Sequence, residues 1–103
     1  MKIRNNVLMS IEDSDIINGK CVIPEGVIAI GDNVFLLNTR LTDVIFSSSI
    51  TSIGEYTFSG CKNLALTSLP EGLTEIGDDA FCGCSYIDPA IKEKIKHINS
   101  DAI

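Results

Sequence analysis

The chain contains no tryptophan, one histidine, three prolines and only eight lysines and arginines among its 103 residues. Each shortage narrows what the protein can do. The single histidine, His97, stands between Lys96 and Ile98 near the C-terminus, and nothing nearby is placed to work with it as an acid–base pair. No G-x-S-x-G, phosphate-binding glycine loop or H-E-x-x-H occurs, so no catalytic residue is assigned and no enzyme is expected. The few cations face 14 carboxylates, for a formal charge of −6. Residues 5–91 hold 12 of these carboxylates against Lys20, Arg40 and Lys62, a net −9, while the two ends together carry +3. A body this acidic argues against direct nucleic-acid binding, which needs cations along the phosphate backbone. No apolar run approaches the ~20 residues of a membrane span, so no membrane partner is expected. The N-terminal apolar stretch is broken by Ser10, Glu12 and Asp13 and lacks a signal-peptide pattern. As given, the chain reads as cytoplasmic, with leaderless export left open.

What is present is a repeat. Ile30-Gly31, Ile53-Gly54 and Ile76-Gly77 recur every 23 residues, as do Phe35, Phe58 and Phe81. Four more apolar columns keep the same step: Val27, Ile50 and Leu73; Leu41, Leu64 and Ile87; Ile23, Phe46 and Leu69; and the inward strand position of Cys21 and Val44. Such regularity specifies a solenoid whose units bury their apolar faces on one another. Within a unit, "LTDVIF" (41–46) puts Leu41, Val44 and Phe46 inward as an L-x-x-L-x-L strand. Pro24 and Pro70 follow the strand, where a missing N–H costs little. After the repeat glycine, "EYTF" and "DDAF" are expected to form one helical turn with Phe inward. In the third unit Thr67 occupies the column of Val44, with Leu66 beside it, so a local shift of that strand is expected.

These columns define the fold class: an α/β solenoid of about three 23-residue leucine-rich-repeat units within a single domain, 1–103. The expected division is an N-terminal cap over 1–22, repeats over 23–87, and a C-terminal helix and tail over 88–103. In the cap, "VLMSI" (7–11) is expected to pair with "CVI" (21–23) as a β-hairpin. The closing helix is predicted by Asp88 as N-cap, Pro89 at the first helical position, and the stripe Ile87, Ile91, Ile95 and Ile98. Both ends read as finished, with end-to-end stacking as a route to a homo-oligomer.

The L-x-x-V-x-I-P…V-x-x-I-G-x-x-A-F-x-G-C pattern over roughly residues 18–87 resembles the BspA-like, or Treponema-type, leucine-rich repeats. Residues 5–27 are similar to the leading segment of such proteins. The resemblance implies a non-catalytic binding role, often toward host proteins or other cells, and most members are long secreted or surface-attached arrays.

Three groups of residues could carry chemistry. Cys61 and Cys84 share a column, Cys82 lies two residues from Cys84, and Cys21 falls at an inward strand position. A metal site is conceivable from these types, but the paired C-x-x-C spacing of structural zinc is absent. The repeat itself explains buried cysteines, so no metal and no cofactor is assigned. Asp32, Glu55 and Asp78 each follow the repeat glycine and form a ladder of like charge, read either as an acidic edge or as residues opening a helical turn. The open strand face offers Thr42, Asp43, Ile45, Leu66 and Ser68, among which Ile45 and Leu66, with Val22 in the first partial unit, put apolar area where solvent is expected. The leading expectation is a protein partner bound on this face, with Ile45 and Leu66 as anchors. The alternative is a small acidic inhibitor or effector that blocks a basic, nucleic-acid-handling enzyme.

Overall fold

The computed structural model describes all 103 residues. Its strands and α-helix in chain order are β1 (Lys2–Arg4), β2 (Val7–Ser10), β3 (Lys20–Val22), β4 (Ala29–Ile30), β5 (Asp43–Ile45), β6 (Ser52–Ile53), β7 (Glu75–Ile76) and α1 (Pro89–Ile98), with single 3-10 turns at Asp13–Asp15 and Ser100–Ala102. The 23-residue period becomes one coil, and neighbouring coils pair sideways along up to three segments. The longest ladder runs β1-β2-β4-β6-β7, parallel throughout except for the β1–β2 hairpin. In it Ile30, Ile53 and Ile76 stand in line behind Leu8. A second ladder pairs β3 with β5, Cys21 against Val44 and Val22 against Ile45.

The third ladder is built from turns. Phe35 N–H donates to Thr57 O at 2.9 Å, and Phe58 N–H to Ala80 O at 2.7 Å. Here the expected helical turns do not form. Asn33, Tyr56 and Asp79 take φ of 63°, 56° and 56°, in the left-handed region that a right-handed helical turn cannot contain. Their N–H groups point sideways to Glu55 O, Asp78 O and Asp101 O of the following chain instead of back along their own segment.

The apolar columns meet inside. Of the columns headed by Ile30, Phe35, Val27 and Leu41 every member is buried, while Phe46 and Leu69 are half-buried against the same core. Phe58 lies between Phe35 and Phe81 with centroid separations of 5.1 and 5.2 Å and nearly parallel rings. Burial of each ring is worth about 1.5–3 kcal/mol, and each offset stack adds about 0.5–1.5 kcal/mol.

The repeat glycines let coils approach this closely. A Cβ on Gly54 would stand 2.6 Å from Asp32 N, and one on Gly77 2.6 Å from Glu55 Cα. No side chain fits there at the observed coil spacing.

Both ends differ from the simple repeat. The hairpin joins β1 to β2 around Asn5-Asn6, with φ of 52° and 63°, a two-residue turn of the kind that matches strand twist. Residues 21–23 do not pair with 7–11 as expected. Lys20–Val22 instead enters the repeat ladder beside β5, because its alternation (Lys20 out, Cys21 in, Val22 out) matches that of Asp43–Ile45. At the other end Asp88 Oδ1 accepts from Ala90 N–H at 2.8 Å and Pro89 opens α1. Ile87, Ile91 and Ile95 are buried against the last coil. Neither α1 nor any other helix is long and apolar enough to cross a membrane.

After α1 the tail takes the place of a further coil. Ile76 O, which a next glycine N–H would reach, accepts from Asn99 Nδ2 at 2.8 Å. The same amide donates to Asp78 Oδ1 at 2.9 Å, and Phe81 N–H donates to Ala102 O at 2.7 Å.

Candidate functional site

The open strand face is set by alternation in β3 and β5. With Cys21 and Val44 inward, Val22 and Ile45 point outward side by side, 62% and 46% exposed. Lys20 and Asp43 are paired in the same register. Asp43 is half-buried, and its Oδ1 accepts from Val44 N–H at 2.9 Å. Thr42, exposed, donates through Oγ1 to Gly19 O at 3.1 Å. Thr42, Asp43 and Ile45 therefore share one surface, and Ser68 is exposed on the neighbouring coil.

Leu66 does not belong to that surface. It is 1% exposed and part of the core, while Thr67 is exposed. The cause lies in spacing: Leu41-x-x-Val44 becomes Leu64-x-Leu66. A one-residue slip exchanges the two faces of a strand, and hiding a leucine instead of a threonine favours the slip by roughly 1.5–3 kcal/mol. The third strand is lost in consequence. Ala65 N–H still donates to Thr42 O at 2.8 Å, but Leu66, Thr67, Ser68 and Leu69 make no main-chain hydrogen bond. Between this stretch and β5 opens a groove of about 320 Å³, walled by Asp43, Ile45, Phe46, Ser48, Ser68 and Glu71 among others. Beyond Leu69–Glu71 lies a larger cavity of about 740 Å³ against α1, floored by Leu69, Leu73 and Ile98 and rimmed by charges of both signs, Glu71 and Glu93 with Lys94, Lys96 and His97.

The acidic column is exposed, and two of its members hold coils together. Asp32 Oδ1 accepts from Glu55 N–H at 2.8 Å, and Asp78 Oδ1 from Asn99 Nδ2 at 2.9 Å. Neither opens a helical turn, because the segment that follows is not helical. The cysteine column is likewise occupied. Cys61 Sγ donates to Phe35 O at 2.9 Å and Cys84 Sγ to Phe58 O at 3.1 Å. Burial pushes the thiols up, to about 11 for Cys21 and Cys61 and about 12 for Cys84. Such thiols are poor nucleophiles at neutral pH. Cys82 is the exposed cysteine.

A family model described as "BspA type Leucine rich repeat region (6 copies)" matches residues 13–103. The chain belongs to the BspA-type leucine-rich-repeat family. Among solved structures, a leucine-rich repeat protein from Bacteroides ovatus is 26% identical with a TM-score of 0.59, over 82% of this chain and 27% of that one. The T. pallidum leucine-rich repeat protein TpLRR is 24% identical with a TM-score of 0.52, over 79% of this chain and 49% of that one, a likeness of fold. The chain thus spans well under two thirds of either. No curated protein matches it. Leucine-rich-repeat proteins are generally non-enzymatic modules that mediate protein–protein interaction.

For this BspA-type chain, the sequence pattern placed Ile45, Thr42 and Asp43 together and missed the groove beside them. Glu25 is part of its wall and was not singled out: both its carboxylate oxygens reach Ser48, the nearer bond being 2.9 Å to the hydroxyl. The available signal was the shortened Leu64-x-Leu66 spacing, which predicts the slip and hence the gap.

Proposed function

We propose that this chain is a non-catalytic interaction module that binds a protein partner through the outer face of β3 and β5, with Val22 and Ile45 as apolar anchors and Thr42, Asp43 and Ser68 as polar flanks. The observation that carries this reading is the pairing of Val22 with Ile45, two large aliphatic side chains in adjacent strands and both substantially exposed. Aliphatic residues suit strands on any surface, but two together on a solenoid face make a contiguous patch of the kind that partners cover. Membership of a leucine-rich-repeat family supports the same role. Leu66, buried, is not an anchor.

The test is an affinity pull-down from the native source with the wild type and with Val22→Glu/Ile45→Glu. Circular dichroism of the variant controls for folding, since both positions are outside the core. A partner retained by the wild type and lost by the variant supports the face; a partner held equally by both refutes it.

A further inference from the structure

The turn ladder carries an exposed apolar pair, and one member of that pair breaks the repeat. The column Leu37, Gly60 and Gly83 is left-handed throughout, with φ of 59°, 73° and 78°. Two units supply the glycine that this conformation favours, and the first supplies a leucine. Leu37 is 69% exposed and Leu36 beside it 41%. The Leu37 side chain lies across Gly60, where a Cβ would stand 2.5 Å from Leu37 Cδ2. It therefore reaches over the next coil without being buried. A leucine held in a strained conformation and left in solvent points to a role outside its own core.

The surroundings of this pair are self-complementary. The columns Leu36, Ser59, Cys82 and Leu37, Gly60, Gly83 form a strip without charge. Along the coils, Asp32, Glu55 and Asp78 precede the strip, and Arg40, Lys62 and Tyr86 follow it, all exposed. Arg40 is paired with Asp13 at 3.2 Å, whereas Lys62 makes no ion pair. A two-fold axis running along the solenoid, over Leu36, Ser59 and Cys82, exchanges the two flanks and sets every coil opposite its own copy. Leucine then meets leucine, the acidic flank meets the flank that holds Lys62, and the two Cys82 side chains face each other. A two-fold axis across the solenoid would instead set acid against acid, which is costly.

We propose that two copies of the chain associate side by side through this strip, with parallel solenoids, as a weak homodimer. The strip lies outside the β3–β5 face, and the dimer is independent of the partner proposed there.

The test is sedimentation velocity of the full chain at rising concentration. Two leucines per copy make a small patch, so a dissociation constant of about 0.1–1 mM is expected. Leu36→Ser/Leu37→Gly copies Ser59-Gly60 of the next unit and puts glycine at the positive φ. It is expected to fold as the wild type does and to stay monomeric. Lys62→Glu is expected to weaken association about tenfold, and Glu55→Lys/Lys62→Glu to restore it. A short bismaleimide cross-linker is expected to join Cys82 to Cys82 in the wild type and not in Leu36→Ser/Leu37→Gly. A wild type that is monomeric at about 1 mM, or a Leu36→Ser/Leu37→Gly variant that dimerises equally, overturns the proposal. So does a dimer that is not joined through Cys82, or one that the charge exchange fails to restore.

Discussion

Replacing Gly77 with alanine tests whether coil spacing, and not glycine flexibility, explains the repeat's Ile-Gly column. Gly77 is not in the left-handed region, so alanine can adopt its backbone conformation. The added methyl would instead stand 2.6 Å from both Glu55 Cα and Gly54 C, main-chain atoms with no rotamer to yield. Relief requires the third coil to move away from the second. That movement stretches the 2.8 Å bond from Gly77 N–H to Ile53 O and the neighbouring bond from Thr74 N–H to Thr51 O. Overpacking against rigid neighbours costs about 1–3 kcal/mol, and weakening one or two ladder bonds adds about 1 kcal/mol. A loss of about 3 kcal/mol is expected, a large part of the total stability of a domain this size. Gly72 supplies the control: it too lies outside the left-handed region, and its nearest contact for a Cβ is Ile50 O at an ordinary 3.7 Å. Gly72→Ala should be neutral or stabilise by up to about 1 kcal/mol, through the unfolded chain. Urea denaturation followed by circular dichroism reads both. With a slope of about 1.5 kcal/mol per molar, the Gly77→Ala midpoint falls by about 2 M and the Gly72→Ala midpoint does not fall. Equal midpoints for the two variants would refute the steric argument.

Phe58→Ala removes the middle ring of the stack from a site with no exposure and is expected to cost about 3–5 kcal/mol by thermal or urea unfolding, with Phe58→Leu costing clearly less. Asn99→Ala deletes the amide that caps Ile76 O and Asp78 Oδ1. It should cost about 1–2 kcal/mol and speed hydrogen exchange at Phe81, whose N–H is bonded to the tail. Asn99→Asp should be worse, because it sets an acceptor against two acceptors. With thiols at about 11 to 12 in the fold against 9.0 unperturbed, the unfolded state releases protons first as pH rises. Stability is therefore full below about pH 9 and falls through pH 11 to 12. An alkylating thiol reagent near pH 8 should label Cys82 alone in the native protein and all four cysteines when unfolded, counted by mass spectrometry.

The core was readable because a period of 23 fixes which residues stack whatever the local backbone does. Ile53, Phe58, Leu64 and their equivalents could be assigned inward from spacing alone, and they are buried. The backbone between them was less readable. Asp32, Glu55 and Asp78 suggested helix starts, but the conformation was decided one residue later, where Asn33, Tyr56 and Asp79 turn left-handed so that their N–H groups reach the next coil. That preference comes from pairing between coils, which no single window of sequence contains. The hairpin was misplaced for a related reason: Asn5-Asn6 offered a local turn, while Lys20–Val22 was drawn off by a strand one period away.

Leu66 joins the core reading to the functional one. Its column predicted exposure and its neighbour Thr67 predicted a shift, and the shift prevailed because burying leucine outweighs keeping ladder pairing beyond Ala65. The free main-chain groups of residues 66–69 and the acidic groove against β5 are the direct cost of that choice. Restoring the repeat tests the link. Leu66→Thr with Thr67→Val returns the spacing to that of Leu41-x-x-Val44 and should let Ser68 pair with Phe46. Slowed hydrogen exchange at Phe46, with unchanged or higher stability, is the expected outcome. If Phe46 stays unprotected in a well-folded variant, the gap has a cause other than the leucine slip, and the account of how this surface arises is wrong.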